Sequence, residues 1–337
     1  MENEKSISWL QFSDLHILKS VDWNLMMDSY RSLAERLHPD FIVITGDYRH
    51  KKYEENYDYS ETLEFLKEIT KLFSVKKKDV FLVPGNHDVE DYEFRKDSIR
   101  GIIEGAENPE KYMEYLERTQ SLKMAFESYS NFVKQFYGDE VTDNRINNPD
   151  DVICLPWRDK INIIILNTAL ISDGNKEHGE IIDINALSKI KINKKLPTLV
   201  LGHHDFGSIC ESQKERMVKI FETANVRAYL CGDTHKDEIK FIDKYDDIVN
   251  KIPCIICGKS AVQLMDNYSD VGVISYNWNN DGFVYVIPYR WGEKYCFKKS
   301  NKFVYDIDKD YRFYMSEAKR ELDSTASCKV SKTYKNI

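Results

Sequence analysis

Residues 80–88 read VFLVPGNHD. A short apolar, β-branched run stops at Pro84-Gly85 and gives way to Asn86, His87 and Asp88. Such a run closed by turn residues predicts a buried strand. The three residues after it are all types that ligate metals or move protons. The same construction recurs along the chain. SISWLQF (6–12) leads to Asp14 and His16, and FIVIT (41–45) to Gly46-Asp47. TLVLG (198–202) leads to His203, His204 and Asp205, and VRAYLCG (226–232) to Asp233 and His235. INIIILN (161–167) is a further strand-like run.

Helical patterns lie between these runs. WNLMMDSYRSLAERL (23–37) and SETLEFLKEITKLF (60–73) place apolar residues at helical spacing, and INALSKIKI (184–192) is a shorter case. Strand and helix in alternation predict an α/β core. In open α/β sheets, ligands bind beyond the carboxyl ends of the strands. Five strand ends bearing Asp, Asn and His therefore predict one shared crevice rich in oxygen and nitrogen donors. Residues i and i+2 at a strand end point to the same side, so Asp14 with His16, and Asp233 with His235, can each grip one ion.

Composition bounds the partners. The chain has 337 residues, 42% hydrophobic and 31% charged, with a formal charge of −8. That is globular composition with length to spare for a core. The overall charge does not attract nucleic acid or an anionic membrane, so a phosphate-bearing substrate needs a local cationic centre. MENEKSISWLQFSD carries charge at once and lacks the apolar core of a signal peptide. No apolar run approaches the length of a membrane span. Seven cysteines, an odd number spread along a long chain, suit reduced thiols. These features predict a soluble, cytoplasmic protein with no membrane partner.

The stretch from about 90 to 150 is charged, helical in period and without strand signals, and reads as a helical insertion. From about 252, IPCIICG, GVISYNWN and GFVYVIPYRW form a second strand-rich region separated by turn signals such as NNDG. After about Met315 the chain turns polar. The expected organisation is one domain over 1–315 and a polar tail or linker over 316–337.

Taken singly, an Asp-x-His after a strand is an ordinary turn aspartate with a surface histidine. The conjunction carries the reading, because five of the eight histidines sit at strand ends beside a carboxylate. Carboxylate, imidazole and amide oxygen together suit divalent Mn, Fe, Zn, Co or Ni.

The ordered set SDLH (13–16), GD (46–47), GNHD (85–88), GHH (202–204) and GDTH (232–235) resembles the calcineurin-like metallophosphoesterases over about residues 7–290. The resemblance implies a four-layer αββα sandwich of two facing mixed β-sheets flanked by helices, with two divalent metal ions between the sheets. It implies hydrolysis of phosphoesters by metal-activated hydroxide. By matching position, Asp14, His16 and His235 would hold the first metal, Asp47 would bridge both, and Asn86 and His203 would hold the second. His87 would act as acid at the phosphate.

Two positions depart from the family pattern. The last motif ordinarily reads Gly-His-x-His, and here its first histidine is Asp233. Either Asp233 is an anionic ligand, giving a harder site that leans toward Mn over Zn, or it stands behind the ligands and the second metal is weakened. The acid that often follows the bridging aspartate by three residues is here His50, and Asp88 is a partial substitute.

The favoured activity is phosphodiester hydrolysis of nuclease or cyclic-nucleotide type. The alternatives are a phosphomonoesterase acting on a nucleotide or phosphoprotein, and a degenerate metal-binding scaffold or regulated effector domain. A sensor or NTPase module fused C-terminally or acting in trans fits the last case.

Weaker signals concern substrate and thiols. Arg49, His50 and His204 are candidate substrate contacts. Against that, Arg49 also belongs to a charge run, and His204 is equally open to a structural role. Tyr53, Tyr57 and Tyr59 are interleaved with acids and read as surface. Cys254 and Cys257 have C-x-x-C spacing, but the segment is apolar and strand-like, so buried thiols are expected.

Overall fold

Each expected strand carries two apolar faces, and each face has its own neighbour. The computed structural model describes residues 6–17, 24–50, 58–90, 95, 99, 121–147, 152–172, 179–243, 251–261, 271–279, 283–292, 296–299 and 303–306. All six runs of the first region are strands: β1 (Ile7–Phe12), β2 (Phe41–Thr45), β3 (Val80–Val83), β5 (Ile161–Leu166), β6 (Thr198–Leu201) and β7 (Val226–Cys231). The later runs form β9 (Lys251–Ile256), β10 (Gly272–Trp278) and β11 (Phe283–Gly292). Four strands were not foreseen: β4 (Val152–Trp157), β8 (Glu238–Asp243), β12 (Cys296–Lys299) and β13 (Phe303–Asp306). The first two pair at the edges of a sheet, where half-exposed strands carry a weaker apolar signal.

Two mixed sheets result. One runs β12-β11-β10-β1-β2-β3, with β13 also paired to β11, and the other runs β4-β5-β6-β7-β9-β8. β1, β2 and β3 are mutually parallel, as are β5, β6, β7 and β9. The period-2 alternation of the strands explains their stacking. Trp9, Phe41, Val43 and Phe81 face Ile163, Ile165, Leu199 and Leu230 in one core between the sheets. The alternate residues Leu10, Ile42, Ile44 and Leu82 pack outward in a second core with residues of the helices on that side. Ile164, Val200 and Tyr229 pack outward on the other side. This is the four-layer αββα arrangement.

Helices α1 (Asn24–Ala34), α2 (Ser60–Leu72) and α3 (Glu127–Tyr137) cover the first sheet, and α4 (Ile184–Lys189) and α5 (Glu211–Thr223) cover the second. The Asp58 carboxylate accepts from Ser60 N at 2.8 Å at the start of α2, and Asp183 caps α4 through Ala186 N. α4 is shorter than expected because Ile190 is already extended. Within the expected insertion, Phe132, Val133 and Phe136 of α3 are buried in the outer core of the first sheet. The remainder of 90–150 lies largely outside the described residues, as does the tail over 316–337. No described helix is long and apolar enough to cross a membrane.

Cys254 and Cys257 are buried, as expected, but in different cores. Cys254 lies under α5 and Cys257 between the sheets. An i,i+3 pair in an extended segment points to opposite faces, so the C-x-x-C spacing does not make a clip.

Because both sheets rest on the central core, truncating Ile163, which is fully buried there, is expected to destabilise the fold by about 2–5 kcal/mol. Urea denaturation of Ile163→Ala should show a lower midpoint with an unchanged slope.

Candidate metal centre

The two Asp-x-His pairs share one backbone conformation. Asp14 (φ +48°), His16 (φ +42°), Asp233 (φ +69°) and His235 (φ +61°) all lie in the left-handed region, and so does Asp47 (φ +58°). The spacing suggests pairs still on their strands. In the structure each strand has ended, and left-handed residues turn the pair inward. Each such residue costs about 1–2 kcal/mol, and these conformations concentrate at functional sites. A lattice of backbone bonds holds them. Asp14 N donates to Gly46 O (3.0 Å), His16 N to Asp47 O (2.9 Å) and Asp233 N to Asp14 Oδ2 (3.1 Å). Close approach requires glycine here, since a Cβ at Gly232 would strike Ser13 Oγ and Asp14 Oδ2.

The two sheets each supply half of the centre. Asp14, His16, Asp47, Asn86 and His87 follow β1, β2 and β3, while His203, Asp233 and His235 follow β6 and β7. His203 Nδ1 meets Thr45 O at 2.7 Å across the sheets, and Gln11 Nε2 donates to Cys231 O at 2.8 Å. His16 Nδ1 meets Arg49 O at 3.2 Å. These carbonyls accept from Nδ1, so Nε2 of each ring is left as the ligand atom.

The Nε2 atoms converge on carboxylates. Asp47 Oδ2 lies 3.5 Å from His16 Nε2 and 3.4 Å from His203 Nε2. Asp14 Oδ1 lies 3.4 Å from His235 Nε2 and 3.9 Å from His16 Nε2. His203 Nε2 is 2.9 Å from Asn86 Oδ1 and 3.9 Å from Asp233 Oδ1. Asp14, His16 and His235 offer ligand atoms within 4.8 Å of one another, and so do Asp14, Asp47 and His203. His203, His204 and Asp233 form another such group.

These residues fit a metal on their own chemistry. Asp14 Oδ1 is buried without a hydrogen-bond partner, which is costly unless a cation takes it up. His16 Nε2 and His235 Nε2 face each other at 3.2 Å, an approach that needs a proton or a cation between them.

Protonation follows the same balance. Burial pushes the Asp47 carboxyl up, but the His203 imidazole, and after it His16 and His87, reverse this and hold it well below the usual carboxylate range. Burial lowers His16 to about 4, against the pull of Asp47 and Asp14, so it stays neutral and able to ligate. Burial also opposes protonation of His203, and the Asp47 charge overrides it, raising His203 well above its ordinary value.

The other expected site residues fall into two groups. His87 and His50 line the centre. The His50 ring is 4.8 Å from that of His87 and 5.1 Å from that of His16. His50, and not Asp88, therefore occupies the place beside His87. Asp88 and Arg49 lie behind the centre. Asp88 is fully buried and accepts from Asp47 N (2.9 Å), Gly85 N (2.8 Å), Tyr48 N (3.2 Å) and Tyr59 Oη (3.1 Å). Burial and then the Asp47 charge push its carboxyl up to about 7, while Arg49 pulls it down. Arg49, expected at the substrate, is fully buried with its guanidinium 5.8 Å from the Tyr59 ring centre. A buried carboxylate requires a nearby cation, and Arg49 is placed to be that cation.

Thr168, overlooked in the sequence, settles the ring of His204. Its Oγ1 accepts from His203 N (3.2 Å) and His204 N (3.1 Å), which leaves its own proton for His204 Nδ1 at 3.0 Å. His204 Nε2 then points to Glu180 Oε1 at 3.5 Å. Both ring nitrogens are taken up by protein groups. Thr168 follows β5, so the run INIIILN was a sixth strand end serving the site.

A family model described as calcineurin-like phosphoesterase matches residues 8–237. A metallophosphoesterase-like protein of Bacillus subtilis (strain 168), YydB, is 28% identical over 311 residues, which cover 88% of this chain and 62% of that protein. The chain thus spans under two thirds of the length of this curated relative. Among solved structures, the purple acid phosphatase PPD1 from yellow lupin (Lupinus luteus) seeds aligns with a TM-score of 0.54 and 11% identity, over 89% of this chain and 53% of that one. A dimetal phosphatase from Danio rerio aligns with a TM-score of 0.50 and 10% identity, over 83% and 95% of the two chains. At these identities the two structures speak to the fold alone.

Replacing Asp88 with Asn would set an amide donor against backbone N–H donors. Asp88→Asn is expected to lose about 1–3 kcal/mol of stability, read by chemical denaturation.

Proposed function

The chain belongs to the calcineurin-like phosphoesterase family, and we propose that it is a metal-dependent phosphodiesterase of nuclease or cyclic-nucleotide type. One observation carries this reading. A single oxygen, Asp47 Oδ2, sits between the Nε2 atoms of His16 and His203, which belong to two different ligand groups. That is the placing a bridging ligand requires.

Asp14, His16 and His235 would hold one divalent ion, Asn86, His203 and Asp233 a second, and Asp47 would be shared. Such ions supply Lewis acidity toward phosphoryl oxygens and a nucleophile at neutral pH. Asp233 favours the ligand reading because its Oδ1 lies 3.9 Å from His203 Nε2. With Asp14, Asp47 and Asp233 the donor set holds three carboxylates, and Mn is the favoured ion.

The chain's own residues do the rest. His87 N donates to Asp47 Oδ1 at 2.9 Å, which fixes the backbone of the acid relative to the shared carboxylate. The His87 side chain, half-buried at the rim, delivers a proton to the leaving oxygen. His50 stands against it and limits its rotation. The domain is proposed to span residues 1–315, with the stretch from about 90 to 150 as an insertion that shapes access to substrate. A cytoplasmic location and a sensor or NTPase module, fused C-terminally or acting in trans, complete the proposal.

Hydrolysis of bis-p-nitrophenyl phosphate and p-nitrophenyl phosphate with graded Mn²⁺ tests it. The diester should turn over faster, and hydrolysis of neither ester by the Mn-loaded protein would overturn the reading. Preference for the monoester would redirect it to a phosphomonoesterase. His87→Ala should keep its metal content while turnover falls about 10²–10⁴-fold. Asp233→Ala should bind fewer ions by elemental analysis, and two ions retained tightly would remove Asp233 from the ligand set.

A further inference from the structure

Tyr59 precedes helix α2, where acidic neighbours suggest a surface residue, yet it is 5% exposed. Its hydroxyl donates to Asp88 Oδ1 at 3.1 Å and lies 3.4 Å from Asp88 O. The Asp88 carboxylate also accepts from the backbone amides of Asp47, Tyr48 and Gly85. Asp88 thus ties the turn after β2 to the turn after β3, and the Tyr59 hydroxyl is a side-chain donor that helps orient it.

The Tyr59 ring is itself held. It stacks on Phe132 of α3 with centres 4.6 Å apart and planes 15° apart, and the Arg49 guanidinium lies over it. Burial, and then the Asp88 charge, raise the phenol well above its ordinary value. It therefore keeps its proton and remains a donor at neutral pH.

The tie ends on a residue with little slack. Asp47 is left-handed, its Oδ1 accepts from His87 N, and a Cβ at Gly85 would collide with its carboxylate. A small rotation of the Asp47 backbone moves Oδ2 relative to both His16 and His203.

We propose that Tyr59 is a positioning residue for the metal centre: through Asp88 it sets the Asp47 backbone, so that the α2–α3 layer governs how tightly metal is bound. This rests on the reading of Asp47 as a metal ligand, and it is tested without substrate.

Tyr59→Phe keeps the ring and its stacking and removes one hydroxyl. Mn²⁺ binding to the metal-stripped full chain, measured by isothermal titration calorimetry, is expected to weaken about tenfold or more, as for loss of a hydrogen bond to a charged group. Thr62→Ala is the control. Thr62 Oγ1 donates to Tyr48 O at 3.2 Å in the same layer without touching Asp88. It should lower the denaturation midpoint and leave Mn²⁺ affinity within about twofold, well inside the effect of one hydrogen bond to a charged group. Equal Mn²⁺ affinity in Tyr59→Phe and the unsubstituted protein overturns the proposal. So does an equal loss in Thr62→Ala, which would mark general loosening. A protein that binds Mn²⁺ in this Tyr59-dependent way but hydrolyses no ester would sustain this inference and sink the phosphodiesterase reading.

Discussion

Two carboxylates, Asp14 and Asp47, are withdrawn from water where the two sheets meet, and much of the structure answers to that constraint. A buried carboxylate is tolerated when positive charge and hydrogen bonds replace its hydration. Here the replacements come from both sheets at once. Asp47 accepts from His87 N after one sheet and faces the His203 ring from the other, and the carbonyls of Arg49 and Thr45 hold the His16 and His203 rings. Separating the sheets would strand the charges, so packing of the central core and assembly of the centre depend on each other.

Behind the candidate ligands lies a third buried carboxylate with a different task. Asp88 makes its bonds to backbone amides and Tyr59, with Arg49 supplying charge. Two neighbours in the sequence, His87 and Asp88, therefore serve opposite sides of one turn. His87 faces the centre and Asp88 faces the scaffold. The pattern of donors explains the left-handed residues as well. A strained conformation persists where surrounding bonds over-determine it, and the amides of Asp14, His16, Asp47 and Asp233 are all engaged.

The strands that build the centre were legible because they are short and apolar, because β2, β3, β6 and β7 are closed by glycine or proline, and because residues of candidate ligand type follow them. Asp14, His16, Asp47, Asn86, His203 and His235 were all picked out as candidates that way, and the fold brings them together. Arg49 and Tyr59 were misplaced for a shared physical reason. Both are polar residues in a charged stretch, and their burial is decided by Asp88, about thirty to forty positions away in the chain. Thr168 escaped notice because a hydroxyl after a strand carries no signal until its hydrogen-bond partners are known. The edge strands β4 and β8 were missed because an edge is half exposed and its alternation is diluted.

The sequence by itself determined the α/β class, the order of the motifs and the chemical type of each candidate ligand, since periodicity, turn residues and donor types are local properties. The tertiary structure decided which candidate ligand meets which. It brought the two Asp-x-His pairs, some 219 residues apart, into one lattice and gave them the same left-handed turn. It also set Asp233 Oδ1 3.9 Å from His203 Nε2 and buried Asp88, Arg49 and Tyr59 together behind the centre. Those outcomes depend on which buried charge each group must compensate. That is a property of contacts between distant segments, and no local window of the chain contains it.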